Sequence, residues 1–212
     1  MKNVFIATAA AAAVTGMAAG SISNGDFSNG SVGWTQFGGA EGPYGVGAAF
    51  GFDNDSDAVV AYGTFSGTPN YSGFTQDIAG GYSEGDTINF GGQMYIENGK
   101  ELFGGNNANI QLNFWYGDGT AYGFTIVGGT VNSDSLTDNV YDIDFSYVLD
   151  AGAASATRIS LDFTYVQTDI PGAGGPDSGA AFATNMYANV VPAPGALALL
   201  GLAGLAGRRR RG

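Results

Sequence analysis

The run DNDSD, with carboxylates at Asp53, Asp55 and Asp57, is the densest group of candidate metal ligands in the sequence. It places oxygen ligands at alternate positions, and hard cations such as calcium prefer oxygen ligands. The run does not follow the EF-hand pattern, because Ala58 stands where that pattern needs glycine and Thr64 where it needs glutamate. Two interpretations stay open: a solvated acidic loop and a calcium-binding loop.

Five polar and aromatic residues have the composition of a sugar-binding surface. Gln111, Asn113 and Trp115 occupy alternate positions along one segment, and Gln93 and Tyr95 do so along the segment before it. Flat aromatic rings contact the apolar side of sugar rings, and amides can hydrogen-bond sugar hydroxyls. We expect these residues to share one outward sheet face that could bind a glycan. The alternative is that they only decorate an exposed sheet or lie under a loop.

Catalytic chemistry has little support in the sequence. There is no cysteine and no histidine, which excludes thiol nucleophiles, disulfides, imidazole bases and the usual zinc, haem and iron–sulfur ligands. Hydroxyl groups are plentiful, but neither histidine nor a Ser-x-x-Lys pattern is present to activate one. Nineteen carboxylates could by chance supply an acid and base pair of the glycosidase kind. We expect a non-catalytic protein, with a secreted glycan-acting enzyme as the alternative.

The elements that must position these side chains are β-strands. Hydrophobic residues make up 44% of the chain, enough to bury a core, and they repeatedly alternate with polar ones, the pattern of strands with one buried and one solvent-facing side. Gly- and Pro-rich turns separate about ten such segments, which predicts a single all-β domain, an antiparallel β-sandwich or jelly roll. The clearest predicted buried faces are Ile88, Phe90, Met94 and Ile96; Ile110, Leu112, Phe114 and Tyr116; Tyr141, Ile143, Phe145, Tyr147 and Leu149; and Ile159, Leu161, Phe163 and Tyr165.

The charges are distributed unevenly along the chain. Five of the seven basic residues lie at the two ends, so only Lys100 and Arg158 oppose nineteen carboxylates between them. Proteins bind nucleic acids by placing Lys and Arg on phosphates, and an acidic body repels them. The composition therefore excludes nucleic acid as a partner. It fits solubility in salty or calcium-containing surroundings, with specific cation binding as the alternative.

Residues 1–20 have the three-part plan of a secretory signal peptide. Lys2 precedes an apolar run over 4–14, and small residues ending in Ala18-Ala19-Gly20 offer a cleavage position before Ser21. The apolar run is too short to span a membrane comfortably. The alternative is a short N-terminal helix within the fold.

Residues 191–212 have the features of a second targeting signal. An apolar segment over 196–207, predicted as a short helix, would cover roughly 18 Å of a hydrocarbon core of about 30 Å. The arginines beyond it would stay on the cytoplasmic side. The flanking positions are Val191, Pro192, Ala193, Pro194 and Gly195 before this segment, and Arg208, Arg209, Arg210 and Arg211 after it.

This tail resembles the PEP-CTERM sorting signal of Gram-negative bacteria, in a variant where Ala193 replaces the usual glutamate. The resemblance implies recognition by an exosortase-type membrane protease, transient association of the tail with the inner membrane, and delivery to the cell surface or extracellular matrix. An anchor that is never cleaved is the alternative.

The body, residues 22–190, is similar to galactose-binding-like jelly rolls, the fold of many carbohydrate-binding modules. The similarity lies in the opening Asn24-Gly25-Asp26-Phe27 followed by Gly33-Trp34, and in a final strand over 183–191. Such modules often hold a structural calcium between the first and last strands, and Asp26 would be the matching ligand. Together, the two resemblances imply an exported surface or matrix protein, with polysaccharide as a candidate partner. A purely structural or adhesive role is a further alternative.

Overall fold

The computed structural model describes residues 20–38, 40–44, 57–62, 70–118, 121–169 and 179–195. Within these ranges the chain forms ten strands and one short helix. The elements are β1 (Thr35–Phe37), β2 (Ala40–Tyr44), β3 (Ala58–Tyr62), β4 (Asn70–Asp77), β5 (Thr87–Tyr95), β6 (Asn107–Tyr116), β7 (Ala121–Asn132), β8 (Val140–Val148), α1 (Ala151–Ala154), β9 (Arg158–Gln167) and β10 (Ala180–Val191).

The strands form two five-stranded sheets. The front sheet has the order β1-β4-β9-β6-β7, and the back sheet has the order β2-β3-β10-β5-β8. Every paired neighbour is antiparallel. The predicted all-β antiparallel sandwich of the jelly-roll kind is therefore confirmed.

The core lies between the sheets and follows the predicted alternation. On β6, Ile110, Leu112 and Phe114 are fully buried, and β9 buries Leu161 and Phe163 against them. The rings of Phe114 on β6 and Phe124 on β7 stack, with their centroids 4.3 Å apart. The side chains on the opposite parity of β6 must consequently point out of the sandwich.

The predicted buried face of β8 is only half-buried. Tyr141, Ile143 and Tyr147 pack against the core but keep part of their surface exposed, and Phe145 is 38% exposed. The cause is position, because β8 is the edge strand of the back sheet. Alternation identifies the inward side of a strand, but it does not show how many neighbouring side chains pack against that side.

The described N-terminal residues are part of the back sheet. The carbonyl of Gly20 accepts a hydrogen bond from the Val190 N–H at 2.9 Å, and Ser21 forms an antiparallel bridge with Asn189. Residues 1–19, which carry most of the predicted signal peptide, lie outside the described residues.

The tail leaves the back sheet at the end of β10. The Ala193 N–H donates a hydrogen bond of 2.9 Å to the buried Asp86 carboxylate, and Pro194 and Gly195 begin a helical turn. The predicted apolar helix over 196–207 and the four arginines lie outside the described residues. Within the described ranges, no helix is both long enough and apolar enough to cross a membrane.

Candidate functional site

The front sheet presents a continuous set of polar side chains on its outward side, which we call the polar face. Its main rows come from the central strands β6 and β9, whose apolar residues face the core. The strand register sets Gln111 beside Asp162, and Trp115 beside Arg158. The polar face comprises Thr75 and Asp77 of β4, Arg158, Ser160, Asp162 and Thr164 of β9, Asn107, Asn109, Gln111, Asn113 and Trp115 of β6, and Thr125 and Thr130 of β7.

The middle of the polar face is buried, whereas the alternation predicted a solvent-facing surface. Asn113 is 4% exposed, Asp162 is 5% exposed and Ser160 is completely buried. Hydrogen bonds join these groups to one another and to neighbouring hydroxyls. The Asn113 amide donates to Asp162 Oδ2 at 2.5 Å, and the Thr75 hydroxyl donates to Asp162 Oδ1 at 2.7 Å. The Asn113 carbonyl in turn accepts from the Thr125 hydroxyl at 2.6 Å.

Asp162 is the electrostatic centre of this network. Burial raises the pKa of its carboxyl group, because desolvation disfavours the charged form. Hydrogen bonds from Thr75, Ser160 and Asn113 and the charge of Arg158 act in the opposite direction. Asp162 is not among the site residues predicted from the sequence. The available signal was that it is the single acid within the strand Arg158–Gln167.

The raised pKa of Asp162 predicts a pH dependence of stability. Because the native state binds the Asp162 proton more tightly than the unfolded chain does, this group stabilises the fold below its ordinary pKa, and the stabilisation is lost as pH rises through the native pKa. Asp162→Asn cannot titrate. Between pH 7 and pH 4, the parent should therefore gain unfolding free energy relative to the variant, as measured by urea unfolding of both proteins. A difference that is constant with pH would contradict the raised pKa.

Trp115 lies at one end of the polar face and is half-buried there. Its indole N–H donates to the Ser160 hydroxyl at 3.0 Å, and the Arg158 guanidinium carbon lies 4.0 Å from the ring centroid. Arg158 also contacts the Asp77 carboxylate at 3.6 Å, in an exposed ion pair that contributes little stability. A cavity of about 280 Å³ opens beside this group, between Thr75, Asp77 and Arg158. The expected outward position of Trp115, with Gln111 and Asn113 on the same face, agrees with this arrangement.

Gln93 and Tyr95 do not share that face, and this part of the prediction was wrong. They lie on β5, which belongs to the back sheet, so they point to the opposite side of the sandwich. The chain crosses from one sheet to the other between β5 and β6, and residue alternation carries no information about such a crossing. Gln93 instead joins Asp142 and Asn185 through hydrogen bonds of 2.8 and 2.9 Å.

Tyr95 is buried, not displayed. It is 3% exposed, its ring contacts Phe182 edge-on, and its hydroxyl donates to the Asp138 carboxylate at 2.7 Å. Burial and the neighbouring carboxylate raise the pKa of Tyr95 to about 12. Its structural surroundings therefore give it a packing role on the back sheet.

The structure brings together two of the four predicted calcium ligands, although through backbone atoms. The Asp57 N–H donates to the Asp26 carbonyl at 3.1 Å, while the Asp26 carboxylate accepts from the Ser28 N–H and hydroxyl. Asp53 and Asp55 lie outside the described residues. Among the described residues, no three acidic side chains converge as a metal site. Calcium binding therefore stays a prediction.

If these aspartates do bind calcium, the ion must stabilise the native state by mass action, by about 2.7 kcal/mol at a hundredfold excess over the dissociation constant. Calcium should then raise the melting temperature more than magnesium at equal concentration, measured by differential scanning calorimetry. Asp57→Asn should reduce that difference. Equal increases with both ions would indicate screening of the acidic body and would contradict a specific site.

Several solved structures share the jelly-roll fold of this chain. No protein-family model and no curated protein matches the chain. The tandem CBM22-1–CBM22-2 domain of Xyn10C from Paenibacillus barcinonensis is similar over 81% of this chain and 50% of its own, at 13% identity and a TM-score of 0.53. This chain thus spans half the length of that tandem structure.

Two further structures match nearly their whole length. The CBM22-2 xylan-binding domain of the same Xyn10C is similar over 79% of this chain and 96% of its own, at 14% identity and a TM-score of 0.50. The Stig cyclase Fisc from Fischerella sp. TAU is similar over 81% of this chain and 96% of its own, at 10% identity and a TM-score of 0.51. Identities this low show a shared fold alone. The chain shares its jelly-roll fold with these carbohydrate-binding domains and with the cyclase.

Proposed function

We propose that this chain is an exported, non-catalytic protein of the cell surface or extracellular matrix that binds polysaccharide through the polar face. The observation that carries the proposal is the combination of one indole ring, a row of amides and a fixed carboxylate on the outward side of a rigid sheet. A sugar ring has one apolar side and a rim of hydroxyl groups, and this surface offers a partner for each.

Preorganisation supports this proposal. Asn113 and Asp162 are held by hydrogen bonds to the sheet's own side chains, so little rotamer entropy is lost when neighbouring groups engage a ligand. The same bonds favour binding over catalysis. Asp162 Oδ1 accepts a hydrogen bond from Thr75 and Oδ2 accepts one from Asn113, which fixes the carboxyl group as part of the polar face.

The likenesses support the proposal at the level of fold. One of the similar structures is a xylan-binding domain and another is a cyclase, so the fold occurs in both binding and catalytic proteins. The choice between them therefore rests on the polar face and not on the likeness. Xylan is a reasonable first ligand to test.

Affinity electrophoresis of the full chain in gels containing xylan, mixed-linkage β-glucan or galactan tests the binding proposal. We expect retarded migration in at least one of these gels relative to a polysaccharide-free gel. Unchanged migration in all three would contradict polysaccharide binding and favour a purely structural or adhesive role. Release of reducing sugar from a retained polysaccharide would instead favour the enzyme alternative.

Export and sorting are the second part of the proposal. We infer that residues 1–20 direct secretion, and that Val191–Gly195, the apolar segment and the four arginines form a tail read by an exosortase-type protease. Val191 is the last residue of β10, and the rest of the described tail, residues 192–195, directly follows the strand. That position would let the processing enzyme reach it without unfolding the sandwich.

Replacing all four arginines at 208–211 with glutamine should leave unprocessed or mislocalised precursor, because the cationic cluster holds the orientation of the tail. Cell fractionation with mass spectrometry of the C-terminus measures both effects. An intact C-terminus on the surface form of the parent protein would contradict cleavage and favour a permanent anchor.

A further inference from the structure

We propose that the polar face carries a second sugar-binding subsite at the end opposite Trp115, and that the ligand is the interior of a neutral polysaccharide chain running along β6. This inference rests on the proposed function and deepens it. The second subsite is formed where β6 begins and β7 ends. Its main side chains are Asn107, Asn109, Thr130, Asn132 and Ser133.

A cavity of about 450 Å³ opens at this end of the sheet. The register places Asn132 beside Asn107 and Thr130 beside Asn109, so one wall comes from each strand of the β6–β7 pair. Trp115 lies eight residues after Asn107 on β6, and at about 3.3 Å per residue this separates the two by roughly 26 Å. Trp115 and this cavity therefore lie at opposite ends of β6, a separation that a single sugar ring cannot bridge.

The side chains of this cavity are held in fixed orientations. The Asn109 side-chain amide donates to Asn107 Oδ1 at 2.7 Å, and the Thr130 hydroxyl donates to Asn109 Oδ1 at 2.7 Å. The Asn107 amide continues to the Gly105 carbonyl at 3.1 Å. A side-chain amide has two N–H donors and two acceptor lone pairs, so this chain of bonds orients both amides and leaves the half-exposed Asn107 capacity for a ligand.

The side chains that line the cavity favour an uncharged ligand that carries hydroxyl groups. The described residues of its lining carry amides and hydroxyls, with no aromatic ring and no cationic side chain among them, and Asp134 is the one acidic side chain of that set. An anionic sugar would meet Asp134 without a compensating cation. Since no three acidic side chains converge among the described residues, a metal ligand is not favoured here either. A neutral, hydroxyl-rich ligand fits best.

The strip between the two ends is polar throughout. Gln111 lies between Asn109 and Asn113 on the same side of β6, and its amide donates to the Asn113 carbonyl at 3.2 Å. Successive outward side chains along β6 are about 6.6 Å apart, twice the rise per residue. Asn109 and Asn113 are buried, so a linear chain would contact the half-exposed side chains of Asn107, Gln111 and Trp115, which follow one another about 13 Å apart. A pocket for a chain end would need a closed wall instead.

Isothermal titration calorimetry of the full chain with xylobiose and xylohexaose tests the second subsite. We expect the parent to bind xylohexaose at least tenfold more tightly than xylobiose. Asn107→Ala should weaken xylohexaose binding roughly tenfold, about one well-made hydrogen bond, and leave xylobiose binding at Trp115 unchanged. The matched control is Asn89→Ala, which removes another half-exposed asparagine, on the back sheet, and should change neither affinity.

The outcomes separate the two proposals. If the parent binds both sugars and Asn107→Ala binds xylohexaose as tightly as the parent does, the second subsite is wrong and polysaccharide binding stands. If the parent binds neither sugar and is not retained by any of the three polysaccharides, the proposed function itself fails. If Asn107→Ala does not fold, the ratio of the parent's affinities for xylohexaose and xylobiose decides whether the extended site exists. An affinity that stops rising beyond the disaccharide would overturn the extended site.

Discussion

Trp115→Ala should remove most of the polysaccharide retention while leaving the sandwich folded. Truncating an aromatic residue that anchors a ligand commonly costs about 2 kcal/mol of binding free energy, which corresponds to roughly 30-fold in the dissociation constant. Because Trp115 lies on the outward side of β6, its removal leaves the core intact. The expected stability loss is about 1 to 2 kcal/mol, for the hydrogen bond to Ser160 and the Arg158 contact.

Phe114→Ala is the matched control for that experiment. Phe114 is the preceding residue and is fully buried, so its deletion should lower the unfolding free energy by about 3 to 5 kcal/mol. Affinity electrophoresis and urea unfolding of both variants measure the two effects separately. A stability loss for Trp115→Ala as large as that for Phe114→Ala would place Trp115 in the core and contradict its role as a sugar contact on the polar face. A stable Trp115→Ala variant with unchanged retention would place the binding site elsewhere.

Gly73→Ala should be among the most destabilising single changes in the front sheet. A Cβ atom at this position would lie 1.9 Å from the Phe163 carbonyl oxygen, and the backbone φ of +153° is one that side-chain-bearing residues rarely adopt. Relieving the contact requires β4 to move away from β9. The combined strain and overpacking should cost about 3 kcal/mol or more.

The same displacement should weaken polysaccharide binding. Gly73 is two residues from Thr75, whose hydroxyl holds Asp162, so a shift of β4 loosens the centre of the polar face. Gly81→Ala is the control, since nothing lies within 4 Å of the added atom. Its unfolding free energy should stay within about 0.5 kcal/mol of the parent value. Equal urea midpoints for the two variants would contradict this account of β4.

The interior of the sandwich was predictable because burial and residue parity are linked in a strand. Ile110, Leu112 and Phe114 are apolar at every second position, and this alone determines which side of β6 faces inward. The outward position of Trp115 followed from the same rule. Both statements depend only on neighbouring residues, which is the information that a sequence carries most directly.

Other features depend on contacts between distant segments. Gln93 and Tyr95 have the same parity pattern as Gln111 and Asn113, yet they lie on the other sheet, because strand order is set by the path of the whole chain. The burial of Asp162 likewise requires Thr75, which is far from it in sequence, to close over it. Polarity by itself favoured a solvent-exposed position. The satisfied hydrogen bonds are what make the buried carboxylate tolerable.

The position of β10 has a mechanical consequence for a protein held by its C-terminal end. β10 runs through the middle of the back sheet, between β3 and β5, and continues directly into the tail. Inter-strand hydrogen bonds lie perpendicular to the strands, so tension on the tail pulls along β10 and loads many of these bonds at the same time in shear. An edge strand peeled from its end would instead release them one by one. A tether attached at this point would transmit tension to one of the strongest parts of the sandwich.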